Sequence, residues 1–308
     1  MTDCTFHCLG PLILDRIVEV DRLPGQGEKA FVQAKRVAPG GPSRNVAVSL
    51  ARWGNKVDFH SRVGDDASGR MLIDNLATEG IATSGVDMAK SMETTTSLVI
   101  VERSGETAIL IDPIEERWLQ SIGGNLGVET GDVVIANFFH PGAVSTAFAK
   151  AGRKSAMTVL DIELPEIVRY GWEAALSTGR MADLVVTNAQ VIGAFIDQTG
   201  FQGSPEMAAT HFARQLSGIG RLVCVTLGSA GVVARDGDQI ISIPAMKVAA
   251  KNTTGAGDVF LAAFVRAHTN GIGLAHALRL ATAAAGLFVA GDFPSWPEVE
   301  LLGRSLSD

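Results

Sequence analysis

Short, β-branched apolar runs recur along this chain with helical stretches between them, and this rhythm restricts the fold more than any other feature. Val133-Val134-Ile135-Ala136, Met157-Thr158-Val159-Leu160, Leu184-Val185-Val186 and the run from Arg221 to Leu227 are each almost continuously apolar. Such runs suit strands of a parallel sheet covered on both faces. Helical stretches lie between them, from Ser43 to Trp53, Ser68 to Glu79, Ser145 to Ala151 and Pro205 to Leu216. Beyond Asn252 two longer helices follow. In the second, Leu274, Leu278, Ala281, Ala285 and Phe288 form one apolar stripe. The pattern predicts an α/β fold with a doubly wound, mostly parallel sheet.

Two stretches break the rhythm. Leu12 to Val37 and Thr94 to Ile111 alternate polar and apolar residues, turn at Pro24-Gly25 and Ser104-Gly105, and contain no helix. They predict a small second sheet, a lid or dimerisation flap built from about residues 12–38 and 92–114 of one 308-residue domain. Apolar residues make up 46% and charged residues 19%, a balance that excludes disorder. A formal net charge of −7 without a long basic run argues against nucleic-acid or anionic-membrane binding as the main activity. Cys4, Cys8 and Cys224 make no disulfide framework and read as small buried apolar residues. Neither a basic stretch leading into an apolar run nor an apolar stretch of roughly 18 residues is present, so a cytoplasmic protein is expected.

Four segments have the residue types for chemistry. Thr253-Thr254-Gly255-Ala256-Gly257-Asp258 opens the apolar helical run from Val259. The first amides of a helix lack internal partners and sit at the positive end of its dipole. The amides of Gly255, Ala256 and Gly257 could therefore stabilise a phosphoryl group in flight, a role worth about 10²–10³ in rate per donor. Asp258 would take the proton of an attacking hydroxyl. The same residues would also make an ordinary N-terminal cap, and composition does not separate the two readings. Gly40-Gly41-Pro42-Ser43-Arg44-Asn45 allows close backbone approach and supplies, in Asn45, both a donor and an acceptor, as a polyhydroxylated ligand needs. A plain strand-to-helix turn explains it as well. Asp15, after Leu12-Ile13-Leu14, could accept from two hydroxyls or start a turn. Thr226-Leu227-Gly228-Ser229-Ala230-Gly231 could take an adenine or ribose, or simply turn a hairpin.

Familiar alternatives are absent: the Gly-x4-Gly-Lys-[Ser/Thr] phosphate loop, Gly-x-Gly-x-x-Gly after the first strand, His-Glu-x-x-His and Gly-x-Ser-x-Gly. Asp65-Asp66 looks like a metal pair but reads better as a charged turn capping the helix that follows. Taken in order, Leu9-Gly10, Asp15, Gly40-Gly41, Asn45, Val63-Gly64-Asp65-Asp66 with Gly69, Asn188, Val225 to Ser229, and Thr254 to Asp258 resemble the ribokinase-like (PfkB) carbohydrate kinases. Pro294-Ser295-Trp296-Pro297 is similar to that family's C-terminal turn.

The resemblance spans almost the whole chain. It implies a Rossmann-like core with a small β lid, and transfer of the ATP γ-phosphate to a hydroxyl of a sugar-like acceptor, with Mg2+ accompanying the nucleotide. It places Asp15, Gly40, Gly41 and Asn45 at the acceptor, Asn188, Thr226, Gly228, Ser229 and Gly231 at the nucleotide, and Asp258 with Gly255, Ala256 and Gly257 at the transfer itself. The two β stretches, read as a dimerisation flap, would make a homodimer through the lid. A nucleoside kinase, or a ligand-binding member with weak catalysis, are the alternatives. Two departures stand out. Val191 occupies the position of the family's metal-ordering Glu, with Glu163 the candidate to replace it. Asn252 replaces an Asp that helps hold an activating monovalent cation, so weak or absent K+ activation is expected. Arg44, and Arg16 beside Asp15, could face an acidic acceptor or be solvated arginines.

Overall fold

The structure, a computed structural model, describes residues 4–103, 105, 107–216, 221–251 and 253–306. Asn252 and Ser104 therefore lie outside the described residues, and with Asn252 the argument about cation binding.

The chain begins with β1 (Thr5–Leu9), then leaves the core for β2 (Ile13–Val20) and β3 (Val32–Gly40). It returns through α1 (Pro42–Arg52), β4 (Lys56–Gly64), α2 (Ala67–Thr78) and β5 (Ala82–Ala89), and leaves again for β6 (Thr96–Glu102) and β7 (Thr107–Ile111). After α3 (Glu116–Ser121), strands and helices alternate: β8 (Val133–Asn137), α4 (Pro141–Gly152), β9 (Met157–Ile162), α5 (Leu164–Tyr170), α6 (Trp172–Gly179) and β10 (Leu184–Asn188). Then come α7 (Ala189–Thr199), α8 (Pro205–Leu216), β11 (Leu222–Thr226), β12 (Val232–Asp236) and β13 (Gln239–Ile243). Three helices close the chain, α9 (Ala256–Thr269), α10 (Leu274–Ala290) and α11 (Trp296–Ser305).

The large sheet has nine strands in the order β13-β12-β11-β10-β9-β8-β1-β4-β5. Seven are parallel, and β12 and β13 pair antiparallel at one edge. The chain winds outward from β1 to β4 and β5, then restarts beside β1 at β8 and winds the other way. The crevice between β1 and β8 is thus the topological switch point, where open α/β sheets place their ligands. Helices cover both faces. On one, α9 buries nine of its fourteen residues against β1, β4 and α1, with α10 packed beside it. On the other, Phe138, Phe148, Phe195 and Phe212 anchor a second cluster. Full burial of each such side chain is worth about 1.5–3 kcal/mol.

The Leu274 stripe packs inward as its spacing predicts, with Leu278 and Ala281 fully buried. Helix α4 starts four residues earlier than Ser145, because Pro141 occupies its first turn and His140 Nδ1 accepts the Ala143 amide at 3.1 Å. Asp66 caps α2, accepting from Gly69 N at 2.8 Å, and the same carboxylate accepts from Thr94 N at 2.8 Å. It is therefore a cap and a tie, not a metal ligand. Cys8 and Cys224 are buried in strands, where burial pushes their thiols well above the ordinary range. Among the described residues, no helix is long and apolar enough to cross a membrane.

The two segments that break the rhythm form one small sheet, in the order β3-β2-β6-β7. Its register pairs Asp15 with Ser97 and Ala38. Successive residues of a strand face opposite sides, so Arg16 projects from the other side of this sheet, exposed. Adjacency to Asp15 in sequence does not put Arg16 at the acceptor.

Candidate active site

Most of the functional candidates gather at the carboxyl ends of the parallel strands. Leu9 ends β1, and α1 is fastened above it by Ser43, whose hydroxyl donates to Leu9 O at 2.6 Å and Asn137 Oδ1 at 2.8 Å. Gly41 precedes α1 at φ 107°, and a Cβ there would stand 2.5 Å from Pro11 O. Gly40 is equally constrained, because a Cβ would collide with the carboxylate of Asp15. Asp15 in turn accepts from Ser97 Oγ at 2.6 Å. Burial raises its pKa, although Ser97 and the charge of Arg44 oppose the shift. Arg44 is half-buried beside it, donating to Asn75 Oδ1 at 2.7 Å and Asn45 Oδ1 at 3.3 Å.

From the other end of the sequence, Gly255 caps α9 in the left-handed region at φ 86° and places Asp258 in the first turn. Asn45 Nδ2 donates to Asp258 Oδ2 at 2.8 Å, joining residues 213 positions apart. The amide of Ala256 is taken by Thr253 O at 3.2 Å. That narrows the expected anion hole to Gly255 and Gly257, whose amides have no partner among the described residues.

Around Asp258 lie three carboxylates, of which the sequence singled out Glu163 alone. Asp161 sits near the end of β9, Glu163 caps α5 and Glu166 lies in its first turn. Burial, then the charge of Glu163, pushes Asp258 up to about 8, and the Asn45 hydrogen bond only partly opposes this. Burial and Glu163 push Glu166 up to about 7. Asp161 is raised well above its ordinary value by burial and by Glu163, Asp258 and Glu166 together. Burial raises Glu163 too. All four are half-buried. Glu166 Oε2 has no hydrogen-bond partner. Crowded carboxylates that cannot all ionise alone fit a hard divalent cation, which prefers oxygen ligands. Asp161, Glu163 and Glu166 are oxygen donors beside the base, but their carboxylates do not gather within 4.8 Å of one another as a single shared ion would need. Their signal in the sequence is Asp-x-Glu-x-x-Glu directly after a buried strand. Val191 is fully buried in the core and faces no ligand.

The nucleotide-side candidates occupy neighbouring strand ends. Asn188 and Thr226 are Cα partners at the ends of β10 and β11. Asn188 Oδ1 accepts from Gln190 N at 3.0 Å and Val191 N at 3.3 Å, so it caps α7. Gly228 and Ser229 form a short 3₁₀ turn, and Gly231 closes it at φ 100°, where a Cβ would strike Ile243 O. It turns the hairpin between β11 and β12, with Gly228 and Ser229 exposed.

Comparison with known proteins agrees with this geometry. The family model described as "pfkB family carbohydrate kinase" matches residues 6–291. The chain is 28% identical to a ribokinase of Lactococcus lactis, covering 95% of this chain and 94% of that protein. It is 31% identical to a fructokinase of Klebsiella pneumoniae over 79% of each. The crystal structure of a Thermotoga maritima ribokinase superposes with a TM-score of 0.75 at 25% identity, covering 98% of this chain and 99% of that one. Matched over nearly its full length and folded as those relatives are, the chain belongs to the pfkB family of carbohydrate kinases and is an ATP-dependent sugar kinase.

Proposed function

We propose that Asp258 is the general base for phosphoryl transfer from ATP to a hydroxyl of a sugar-derived acceptor held by Asp15, Gly40, Gly41 and Asn45. The 2.8 Å bond from Asn45 to Asp258 carries this reading, because it sets the acceptor-side helix against the base. The hydroxyl oxygen attacks the γ-phosphorus as its proton passes to Asp258. The new O–P bond forms while the bond to the β–γ bridging oxygen breaks, and ADP leaves with that electron pair. The amides of Gly255 and Gly257 face the charge that develops on the transferring group. Thr226, Gly228, Ser229 and Gly231 border the nucleotide, with Asn188 at the same edge. Asp161, Glu163 and Glu166 are oxygen donors beside the base, and Mg2+ accompanying the nucleotide would neutralise phosphate charge there. The small sheet carries Asp15 and acts as a lid that keeps water from the reacting hydroxyl.

Arg44 favours an anionic acceptor, such as an acidic sugar or a sugar phosphate. Its guanidinium is half-buried among Asp15, Asn45 and Asn75, and its buried Nε has no partner. ADP release measured against neutral sugars, acidic sugars, sugar phosphates and nucleosides tests this. The highest kcat/KM is expected on an anionic sugar. Arg44→Gln is expected to raise the KM for that acceptor about 10–100-fold with kcat little changed. A neutral sugar or nucleoside as best substrate, indifferent to Arg44→Gln, would refute the anionic reading and leave the kinase.

The base must be ionised to accept a proton, so kcat/KM is expected to rise with pH through the raised pKa of Asp258 in the free enzyme, about 8. Removing the neighbouring charge in Glu163→Gln lowers that pKa and moves the acid limb to lower pH. An unmoved limb in the pH profile would separate Glu163 from the base.

The outer side of the small sheet supports a homodimer. Leu110, Leu98 and Val37 flank Arg16 in one cross-strand row, 61%, 37% and 54% exposed. A second copy would cover that row. Leu110→Lys is expected to halve the mass seen by light scattering.

A further inference from the structure

At the amino-terminal side of the large sheet, away from the cleft, is a polar cluster that the kinase reaction does not use. His7 stands in β1, Asp58 and His60 in β4, and Asp132 immediately before β8. His7 is 4% and His60 2% exposed, so their ring nitrogens face one another inside the protein. His7 Nδ1 lies 3.2 Å from His60 Nε2 and 3.7 Å from Asp58 Oδ2, and His60 Nε2 lies 3.3 Å from the same oxygen.

We propose that His7 Nδ1, His60 Nε2 and Asp58 Oδ2 form a binding site for one zinc-class divalent ion. A tetrahedral ion with ligand distances of about 2.0–2.1 Å spaces its ligand atoms about 3.4 Å apart. The three separations match one face of that tetrahedron. Two imidazole nitrogens and a carboxylate oxygen are also a common zinc donor set. Hydrogen bonding can serve two edges of the triangle, with His7 Nδ1–H and His60 Nε2–H both directed at Asp58 Oδ2, but it leaves the two ring nitrogens opposed across the third. One cation meets all three lone pairs.

The surroundings of His7 fit a ligand shell, whereas the buried Nδ1 of His60 has no hydrogen-bond partner among the described residues. Asp132 Oδ2 is 3.2 Å from His7 Nε2 and accepts its proton, which presents the Nδ1 lone pair to the triangle. Asp132 is itself held by the amides of Thr5 at 2.9 Å and Glu129 at 2.8 Å. The His60 ring is packed against Gly85 of β5, where a Cβ would collide with it. Asp58 keeps 18% of its side chain exposed, a route for entry and for a water as fourth ligand, and its Oδ1 has no hydrogen-bond partner. The bound ion would cross-link β1 to β4, with Asp132 extending the link to β8.

The test uses the full-length protein, treated with chelator and then dialysed against zinc in excess Mg2+, so that the carboxylate cleft is occupied. About one zinc per chain is expected by elemental analysis, with Tm raised by roughly 4 °C at a hundredfold excess over Kd. Asp58→Asn and His60→Gln should each lose both effects, while Glu163→Gln keeps them. Cobalt substitution in the unmutated protein is independent of how the variants fold. It should give the intense visible absorption of a tetrahedral site. Substoichiometric zinc, absent cobalt bands, or zinc retained by a folded Asp58→Asn variant would each overturn the assignment.

Discussion

Asp258→Asn is expected to lower kcat by about 10²–10⁴ while acceptor and ATP still bind. Asn has the shape of Asp and can keep the bond from Asn45, but it cannot take a proton. The same variant is expected to be more stable than the native protein at alkaline pH. Asp258 has a folded-state pKa raised from 3.8 to about 8. A raised pKa stabilises the fold fully below the unfolded value and loses that stabilisation as pH rises through the folded value. Between those values the native protein must hold a proton on Asp258 or bear its charge beside Glu163. Asn bears neither, so its advantage should grow with pH and vanish in acid. Thermal melts at pH 4 and pH 9 with steady-state kinetics give both readings. Unchanged kcat would remove Asp258 from the chemistry, and lost activity with a lowered Tm at pH 9 would mean damage to the fold.

Gly41→Ala should have a large effect for the addition of a single methyl group. Its φ of 107° is one that side-chain-bearing residues rarely adopt, and the new Cβ would stand 2.5 Å from Pro11 O, a backbone atom with little freedom to move. Backbone strain and overpacking together are expected to cost about 2–4 kcal/mol. Gly54→Ala is the control. Its φ is 79°, but nothing lies within 4 Å of the added methyl, so only the left-handed penalty of about 1–2 kcal/mol applies. Urea midpoints should fall further for Gly41→Ala, and acceptor KM should rise only there, since the displaced turn carries Asn45. Equal midpoints for the two variants would contradict the close approach.

The architecture was legible because β-branched runs and helical stretches differ in period, and the two stretches without helices were those that left the sheet. Asp258 and Asn45 were legible singly, since small residues before a helix start are a local signal. Their hydrogen bond was not, because it depends on the packing of α1 against α9 across most of the sequence. Asp161 and Glu166 were missed for a related reason: a carboxylate after a strand is commonplace until the fold surrounds it with others. Of the two readings open for Arg16 the solvated one holds, because neighbouring residues of a strand face opposite sides. Asn188 answered to two demands, a strand end and a helix cap, and spacing alone cannot say which one its oxygen meets.

The bond from Ser43 to Leu9 and Asn137 has a bearing on how this protein could be altered. It anchors α1 to the strands beneath, so Asn45 stays opposite Asp258 whatever happens at the rim. Asp15 and Ser97 come from the small sheet, and Arg44 points among Asn75, Asn45 and Asp15. The small sheet thus brings Asp15 and Ser97 to this region, while α1 brings Arg44 and Asn45. A combinatorial library confined to positions 15, 44 and 97 should change which molecule is accepted while the machinery around residue 258 is inherited intact.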